Sequence, residues 1–166
     1  MNWGAIAAIS QTVGSLAVVV SLIYVAVQIR QNTALAQTQY HGNAINAVAR
    51  FQDWKAANPE NARIFRQGMM DFRSITLDER IMLDGVLTDL VLMFKDILEA
   101  HGRGFADIAT YEAWKGFIGA NLGMPGGQMW WAQGRNIFVG AVQTAVDLAI
   151  KQTSPYDELM SVVFRE

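Results

Sequence analysis

Side chains that commonly carry chemistry are sparse in this sequence. It contains two histidines, His41 and His101, and no cysteine. Neither histidine belongs to a Glu-x-x-His or His-x-x-x-His pattern, the spacing through which helices present ligands to a metal. The lack of cysteine excludes disulfides, thiolate ligands and a cysteine nucleophile. We therefore expect no catalytic residue, no metal site and no cofactor, and we interpret His101 as a cation near the C-terminus of a helix.

Acidic side chains are the next candidates, and they concentrate in one predicted helix. They are Asp84, Asp89, Asp96 and Glu99. Most of them fall off the apolar stripe of that helix, which is typical of a solvated face. Asp89 differs because it lies beside the stripe. It is the acid that we would expect in a pocket.

A cluster of glycines surrounds Pro125, in the segment Gly123-Met124-Pro125-Gly126-Gly127. Successive backbone N–H groups in such a segment can form a nest for an anion. The lysine and the hydroxyl residue that complete a phosphate-binding loop are missing. We interpret the segment as a plain turn that breaks the chain.

Three tryptophans are candidates for contacts with lipid or with another protein: Trp3, Trp130 and Trp131. Tryptophan is common in cores and at membrane interfaces because its ring is apolar and its indole N–H is polar. For the adjacent pair Trp130 and Trp131, the sequence leaves three alternatives open. The pair packs in the core, contacts lipid headgroups or contacts a partner protein.

The segment from Trp3 to Arg30 has the composition of a membrane span. No charged side chain precedes Arg30. A helix from Ala5 to Ile29 would reach about 37 Å, enough to cross a hydrocarbon core of about 30 Å with some tilt. A cleaved signal peptide is one alternative, since Ala34-Leu35-Ala36 resembles a cleavage site, but the basic n-region is missing and the apolar run is too long. A buried helix of a soluble core is the other.

Small and polar residues recur along one stripe of this span, at alternating spacings of three and four. They are Ala7, Ser10, Gly14, Ala17, Ser21, Tyr24 and Gln28. Residues such as Val13, Leu16 and Val20 fall on another stripe. Helices pack in lipid through small residues, which let backbones approach, and through hydroxyls and amides that bond across the contact. We predict that the first stripe is a packing face and the second a lipid face, although small residues are common in any membrane helix.

The charge distribution favours a cytoplasmic domain. Arg30 directly follows the span, and Arg50 lies at the limit of the distance over which positive charge sets orientation. The whole chain has 13 basic and 15 acidic side chains. No stretch is basic enough to follow a phosphate backbone, so we expect no nucleic-acid partner.

Helical signals continue from the anchor to the end of the sequence, and strand-like alternation is missing. The predicted elements are a stalk to Ala57, a short helix after Asn58-Pro59-Glu60 that ends near Arg73, a helix from Leu77 to about Ala100 stopped by Gly102, a shorter helix between Gly104 and Gly123, an apolar helix from Ile137 to Ile150 and a last short helix from Ser154. The capping box at Thr76 and Glu79 begins the longest of them. Its stripe of Leu77, Ile81, Leu87, Leu90, Val91, Phe94, Ile97 and Leu98 marks it as the central core helix.

These signals predict an all-α fold. An N-terminal transmembrane helix, residues 1–30, continues into a stalk, and residues 31–166 form a compact cytoplasmic domain of about five helices. A second span at Ile137 to Ile150 is the alternative. Arg135 and Asp147 leave too few apolar residues between them for it.

The stretch from Ser21 to Thr33, SLIYVAVQIRQNT, together with Trp130 and Trp131, resembles a group of small bacterial single-pass membrane proteins that begin with such an anchor. The resemblance is strong over about 30 residues and loose beyond. It implies an inner-membrane location and a helical domain, and it implies no activity.

We therefore expect a non-enzymatic structural or accessory protein of the inner membrane. Its partners would be the lipid bilayer and either further copies of itself or the subunits of a larger membrane complex. The alternative is a membrane-tethered domain that binds or transforms a small molecule or lipid. Its pocket would lie between the central helix and the Ile137 helix, near Asp89, Tyr111 or Trp114.

Overall fold

The structure, a computed structural model, describes residues 3–154, and for residues 5–10, 12, 41 and 44 it describes the backbone alone. Within that range the chain is all-α, as predicted, with no strand. The helices are α1 (Trp3–Ala56), α2 (Pro59–Met70), α3 (Leu77–Gly102), α4 (Ile108–Leu122), α5 (Pro125–Gly134) and α6 (Gly140–Gln152), with a 3₁₀ turn at Arg135–Ile137. The last helix predicted, from Ser154, falls almost wholly outside the described residues.

Contacts between residues divide the chain into two units, Met1–Gln39 and Tyr40–Glu166. In the first unit, the large apolar side chains of α1 between Val13 and Ile29 are 46% to 65% exposed. The most apolar 18-residue stretch of α1 has a mean hydropathy of 1.9, and no residue of that stretch is buried. This is the one described helix that is long and apolar enough to cross a membrane.

In the second unit, two predicted helix starts are confirmed. The side chain of Asn58 accepts a 2.8 Å hydrogen bond from the backbone N–H of Asn61, and Pro59 occupies the first turn of α2. At α3, Thr76 accepts from the N–H of Glu79, while the carboxylate of Glu79 accepts from the N–H of Thr76. Both helices begin where their side chains satisfy free backbone N–H groups.

The carboxylate of Glu79 also joins α3 to α2. It forms an ion pair with Arg63, whose guanidinium also pairs with Glu60. The hydrogen bond from the Thr76 backbone, followed by that from Arg63, lowers the pKa of Glu79 below its ordinary value. The carboxylate therefore stays ionised at neutral pH, as both contacts require.

The end of α3 differs from the prediction. Gly102 still belongs to the helix, and the stop is Gly104, the one described residue with positive φ, at 76°. The N–H of Gly104 bonds to the carbonyl of His101, and that of Phe105 bonds to the carbonyl of Ala100. These two bonds form a Schellman motif, in which glycine is favoured because it adopts positive φ without steric conflict. Similarly, α2 ends at Met70 rather than near Arg73, since Asp71 is already extended.

The interpretation of residues 123–127 as a plain turn is wrong. Only Gly123 and Met124 lie between helices, and Pro125 begins α5. Gly126 and Gly127 are buried within that helix. A Cβ on Gly126 would overlap the carbonyl oxygen of Gly68 and lie 2.8 Å from the carbonyl group of Met69. Gly126 therefore serves a close crossing of α5 over α2, whereas a Cβ on Gly127 would lie 2.9 Å from the carbonyl oxygen of Asn121 in α4.

The central position of α3 in the core is confirmed. Its buried residues are Leu83, Leu87, Leu90, Val91, Phe94, Ile97 and Ala100. Two members of the predicted stripe, Leu77 and Ile81, are instead 65% and 62% exposed. They lie in the first two turns, before the helix enters the core.

The helix predicted from Ile137 to Ile150 begins only at Gly140, and Ile137 and Val139 before it are exposed. From Gly140 onward, as α6, it packs one face into the same core. The buried side chains of α6 are Val142, Ala145, Val146 and Ala149. Helix α6 lies against α4, where a Cβ on Gly119 would be 2.5 Å from the hydroxyl oxygen of Thr153. This apolar face is covered by protein, so the second-span alternative does not describe it.

The crossing at Gly126 generates a prediction about stability. Replacing Gly126 by alanine should lower the free energy of unfolding by about 2 kcal/mol or more, because the methyl group would have to separate two backbones. Gly116 is the matched control, since it lies inside α4 and a Cβ there meets no atom within 4 Å. Gly116→Ala should raise the free energy of unfolding by roughly 0.5 to 1 kcal/mol through helix propensity.

Urea denaturation followed by circular dichroism measures both variants. Equal stability of Gly126→Ala and the wild type would show that α5 does not approach α2 in this way.

Candidate functional site

The described residues hold no group of three or more histidine, cysteine, aspartate or glutamate side chains placed to bind a metal. His101 closes the turn after α3, since its Nδ1 lies 3.1 Å from the carbonyl oxygen of Ala106. Its ring also stacks on Tyr111, with 4.8 Å between centroids. The carbonyl contact favours the tautomer with the proton on Nδ1. The side chain of His41 lies outside the described residues.

Trp130 and Trp131 belong to the core, each with 4% of its surface exposed. The indole N–H of Trp130 donates to Asp84 at 2.7 Å, and that of Trp131 donates to Asp147 at 2.8 Å. The alternatives of headgroup contact and partner contact therefore do not describe this pair. Trp3, by contrast, is 70% exposed.

Sequence reasoning missed the two acids that anchor these indoles. Asp84 is an exposed residue, as expected for the solvated face, yet its carboxylate reaches Trp130. Asp147 additionally pairs with Arg135 at 2.7 Å. The signal available in the sequence was the requirement that a buried indole N–H find an acceptor.

The three residues expected near one pocket have different surroundings. Asp89 lines a crevice between α1 and α3. Trp114 lines an apolar groove of about 660 Å³ between α1 and α4, with Ile45, Val48 and Ala113 among its other walls. Tyr111 stacks on Phe94 at 6.2 Å between centroids.

The crevice combines two charges with an apolar floor. Its volume is about 260 Å³, and its walls are Ala47, Arg50, Phe51 and Trp54 of α1 and Gly85, Val86, Asp89 and Leu90 of α3. Phe51 and Leu90 are 5% and 3% exposed. Arg50 Nη2 and Asp89 Oδ2 are 3.9 Å apart, and their side chains are 57% and 66% exposed. The crevice therefore offers one cation and one anion above a hydrophobic surface.

A lysine lies one residue beyond Trp54 on α1. The Nζ of Lys55 is 4.5 Å from the ring centroid of Phe51 and 4.7 Å from that of Phe65. Burial lowers the pKa of this amine, because desolvation disfavours the ammonium form. Its ring contacts place it with the packing of α1 against α2.

A third cavity, of about 330 Å³, lies between α5 and α6. Arg135, Asp147 and Lys151 are among its lining residues. The pairing of Arg135 with Asp147, which also holds the Trp131 indole, gives this cluster a structural role.

The predicted packing stripe of the span is exposed wherever its side chains are described. Gly14 is exposed, and a Cβ there would meet no atom within 4 Å. Ala17 and Ser21 are also exposed. Tyr24 and Gln28 are exposed and bond to each other, with Gln28 Nε2 donating to the Tyr24 hydroxyl at 2.7 Å. The side chains of Ala7 and Ser10 lie outside the described residues.

Comparison of the chain with protein-family models, with curated proteins and with solved structures finds no match. The class is therefore defined by the fold itself: an all-α protein with one described helix long and apolar enough to span a membrane.

Proposed function

We propose that this chain is a single-pass protein of the bacterial inner membrane whose span and helical domain assemble with other copies or with a larger complex, as a non-enzymatic structural or accessory subunit. The observation that carries the proposal is the exposed apolar surface between Val13 and Ile29, where the large side chains are 46% to 65% exposed. Such a continuous apolar surface is unfavourable in water and favourable in hydrocarbon.

The polar side chains between Gln11 and Ile29 are also compatible with a hydrocarbon environment. Ser15 donates its hydroxyl proton to the Gln11 carbonyl at 2.9 Å, and Gln28 donates an amide proton to the Tyr24 hydroxyl at 2.7 Å. The backbone of a helix satisfies its own hydrogen bonds, as hydrocarbon requires. These side chains therefore find hydrogen-bond partners within their own helix.

Assembly is the role that we assign to the stripe around Gly14. Packing within its own chain does not require glycine at position 14, since a Cβ there meets nothing within 4 Å. Glycine instead leaves a surface on which a second helix can approach closely. The inner-membrane location follows the resemblance of SLIYVAVQIRQNT to anchors of bacterial membrane proteins.

The alternative function is binding of a small molecule by the helical domain. The specific observation that favours it is the crevice at Arg50 and Asp89, in which charged groups face each other above buried Phe51 and Leu90. Convergent polar groups over an apolar surface are the usual composition of a ligand site.

The stripe can be tested by substitution. Gly14→Leu and Ser21→Leu should lower the oligomeric mass or partner recovery in mild detergent, because each adds bulk where backbones would approach. Interhelical contacts in membranes contribute on the order of 1 kcal/mol each, so partial dissociation is expected. Val20→Leu is the matched control on the predicted lipid face and should behave as wild type. Crosslinking and size-exclusion chromatography with light scattering measure the result.

If both stripe variants crosslink and elute like wild type, the span is a passive tether. Assembly would then depend on the helical domain.

Orientation is proposed from few charges, Arg30 and Arg50 after the span and none before it. We expect a cytoplasmic domain, so protease added to sealed inverted vesicles should digest it. Arg30→Glu, or two lysines added after Met1, should reduce the digested fraction by weakening or inverting the bias. Protection of the wild-type domain in inverted vesicles would place it on the opposite side.

A further inference from the structure

Gly85 lies well inside the long helix α3, and there is open space where its side chain would be. It lies in the third turn of α3, where glycine is unfavourable relative to alanine. Close packing does not require it, because a Cβ at this position meets no atom within 4 Å. Gly126, by contrast, would overlap a neighbouring backbone. The empty volume at Gly85 opens into the crevice between α1 and α3.

Two opposite charges in the same crevice are only loosely paired. The 3.9 Å between Arg50 Nη2 and Asp89 Oδ2 is longer than a hydrogen bond. Among the residues that the structure describes, it is the one polar side-chain contact of either group. A planar guanidinium can bind a carboxylate through two parallel hydrogen bonds, and a carboxylate can accept from an ammonium group. Both groups therefore retain capacity for a ligand.

The rest of the crevice is apolar. Phe51 and Leu90 are buried beneath it, and Trp54 and Val86 are half-buried at its walls. Its volume of about 260 Å³ corresponds to about nine groups of the size that water occupies in the liquid. This is room for a small organic molecule of about the size of an amino acid.

We propose that the crevice binds a compact zwitterion with an apolar body, whose anionic group pairs with Arg50, whose primary ammonium pairs with Asp89 and whose apolar part occupies the space above Gly85. A free α-amino acid with an apolar side chain has this chemistry, and a phosphatidylethanolamine headgroup carries the same two charges on a smaller apolar body, the two methylenes that join them. This inference rests on and deepens the alternative function. Its test measures ligand binding in the crevice directly, so the result does not depend on whether the span assembles with other helices or is a passive tether.

The test uses the full chain in phosphatidylcholine nanodiscs, which lack a primary ammonium, with L-phenylalanine and L-leucine as probes. Proton–nitrogen correlation NMR follows the indole N–H of Trp54 and the backbone N–H of Gly85. Both signals should shift saturably with at least one probe. Phenethylamine and 3-phenylpropionate each carry only one of the two charges and should bind at least about tenfold more weakly than L-phenylalanine, as expected for loss of one charge-assisted contact.

Two matched variants separate binding from folding. Gly85→Leu fills the crevice with a side chain that favours helix, so it should fold and lose the saturable shift of the Trp54 indole. Gly116→Leu makes the same change inside α4, at another glycine whose Cβ would meet nothing within 4 Å, and should bind like wild type. Asp89→Asn keeps the shape and should weaken binding by about tenfold or more.

Nanodiscs that contain phosphatidylethanolamine distinguish the two sources. If phosphatidylethanolamine competes with the amino acid, the site is assigned to the lipid headgroup. If amino-acid binding is unchanged in these nanodiscs, the site is assigned to a free solute. The proposal is overturned if neither amino acid gives a saturable shift, if the single-charge analogues bind as well as the zwitterion, or if Gly85→Leu binds like wild type.

Discussion

In the proposed function, the N-terminal unit depends on the contact between its apolar side chains and hydrocarbon. Large side chains from Val13 to Ile29 stay about half exposed or more, and none of the most apolar part of α1 is buried. A helix is the structure that tolerates this environment, because its backbone groups bond to one another. Hydroxyls such as that of Ser15 add bonds within the same helix. The proposed membrane location follows from this surface rather than from a motif.

The helical unit is held by close backbone contacts as well as by apolar burial. Gly126 allows α5 to cross α2, and Gly119 allows α6 to lie on α4. Buried tryptophans bridge elements distant in sequence by donating to Asp84 and Asp147. Small residues and indole hydrogen bonds thus determine how the short helices pack around α3. The same unit leaves Gly85 open, where close packing does not use it.

Local signals in the sequence predicted the fold well, because caps act over three or four residues. Asn58 and Thr76 begin helices as expected, and the uncharged run predicted the long apolar helix at the N-terminus. Helix α5 was missed because glycines beside Pro125 also favour a turn. The role of Gly126 depends on Gly68, which is distant in sequence and comes close only after folding. The crevice was missed for the same reason, although Asp89 was singled out, since its partner Arg50 lies on another helix.

The depth of α1 in a bilayer tests the central claim most directly. Spin labels placed singly along α1 from Trp3 to Ile29, in the reconstituted full chain, report collisions with oxygen and with a water-soluble nickel chelate. If the segment spans the membrane, the ratio of oxygen to nickel accessibility rises from each end to a maximum near Ala17 to Ser21. High nickel accessibility at every position, or low accessibility to both reagents along one face with no maximum, would contradict a membrane span.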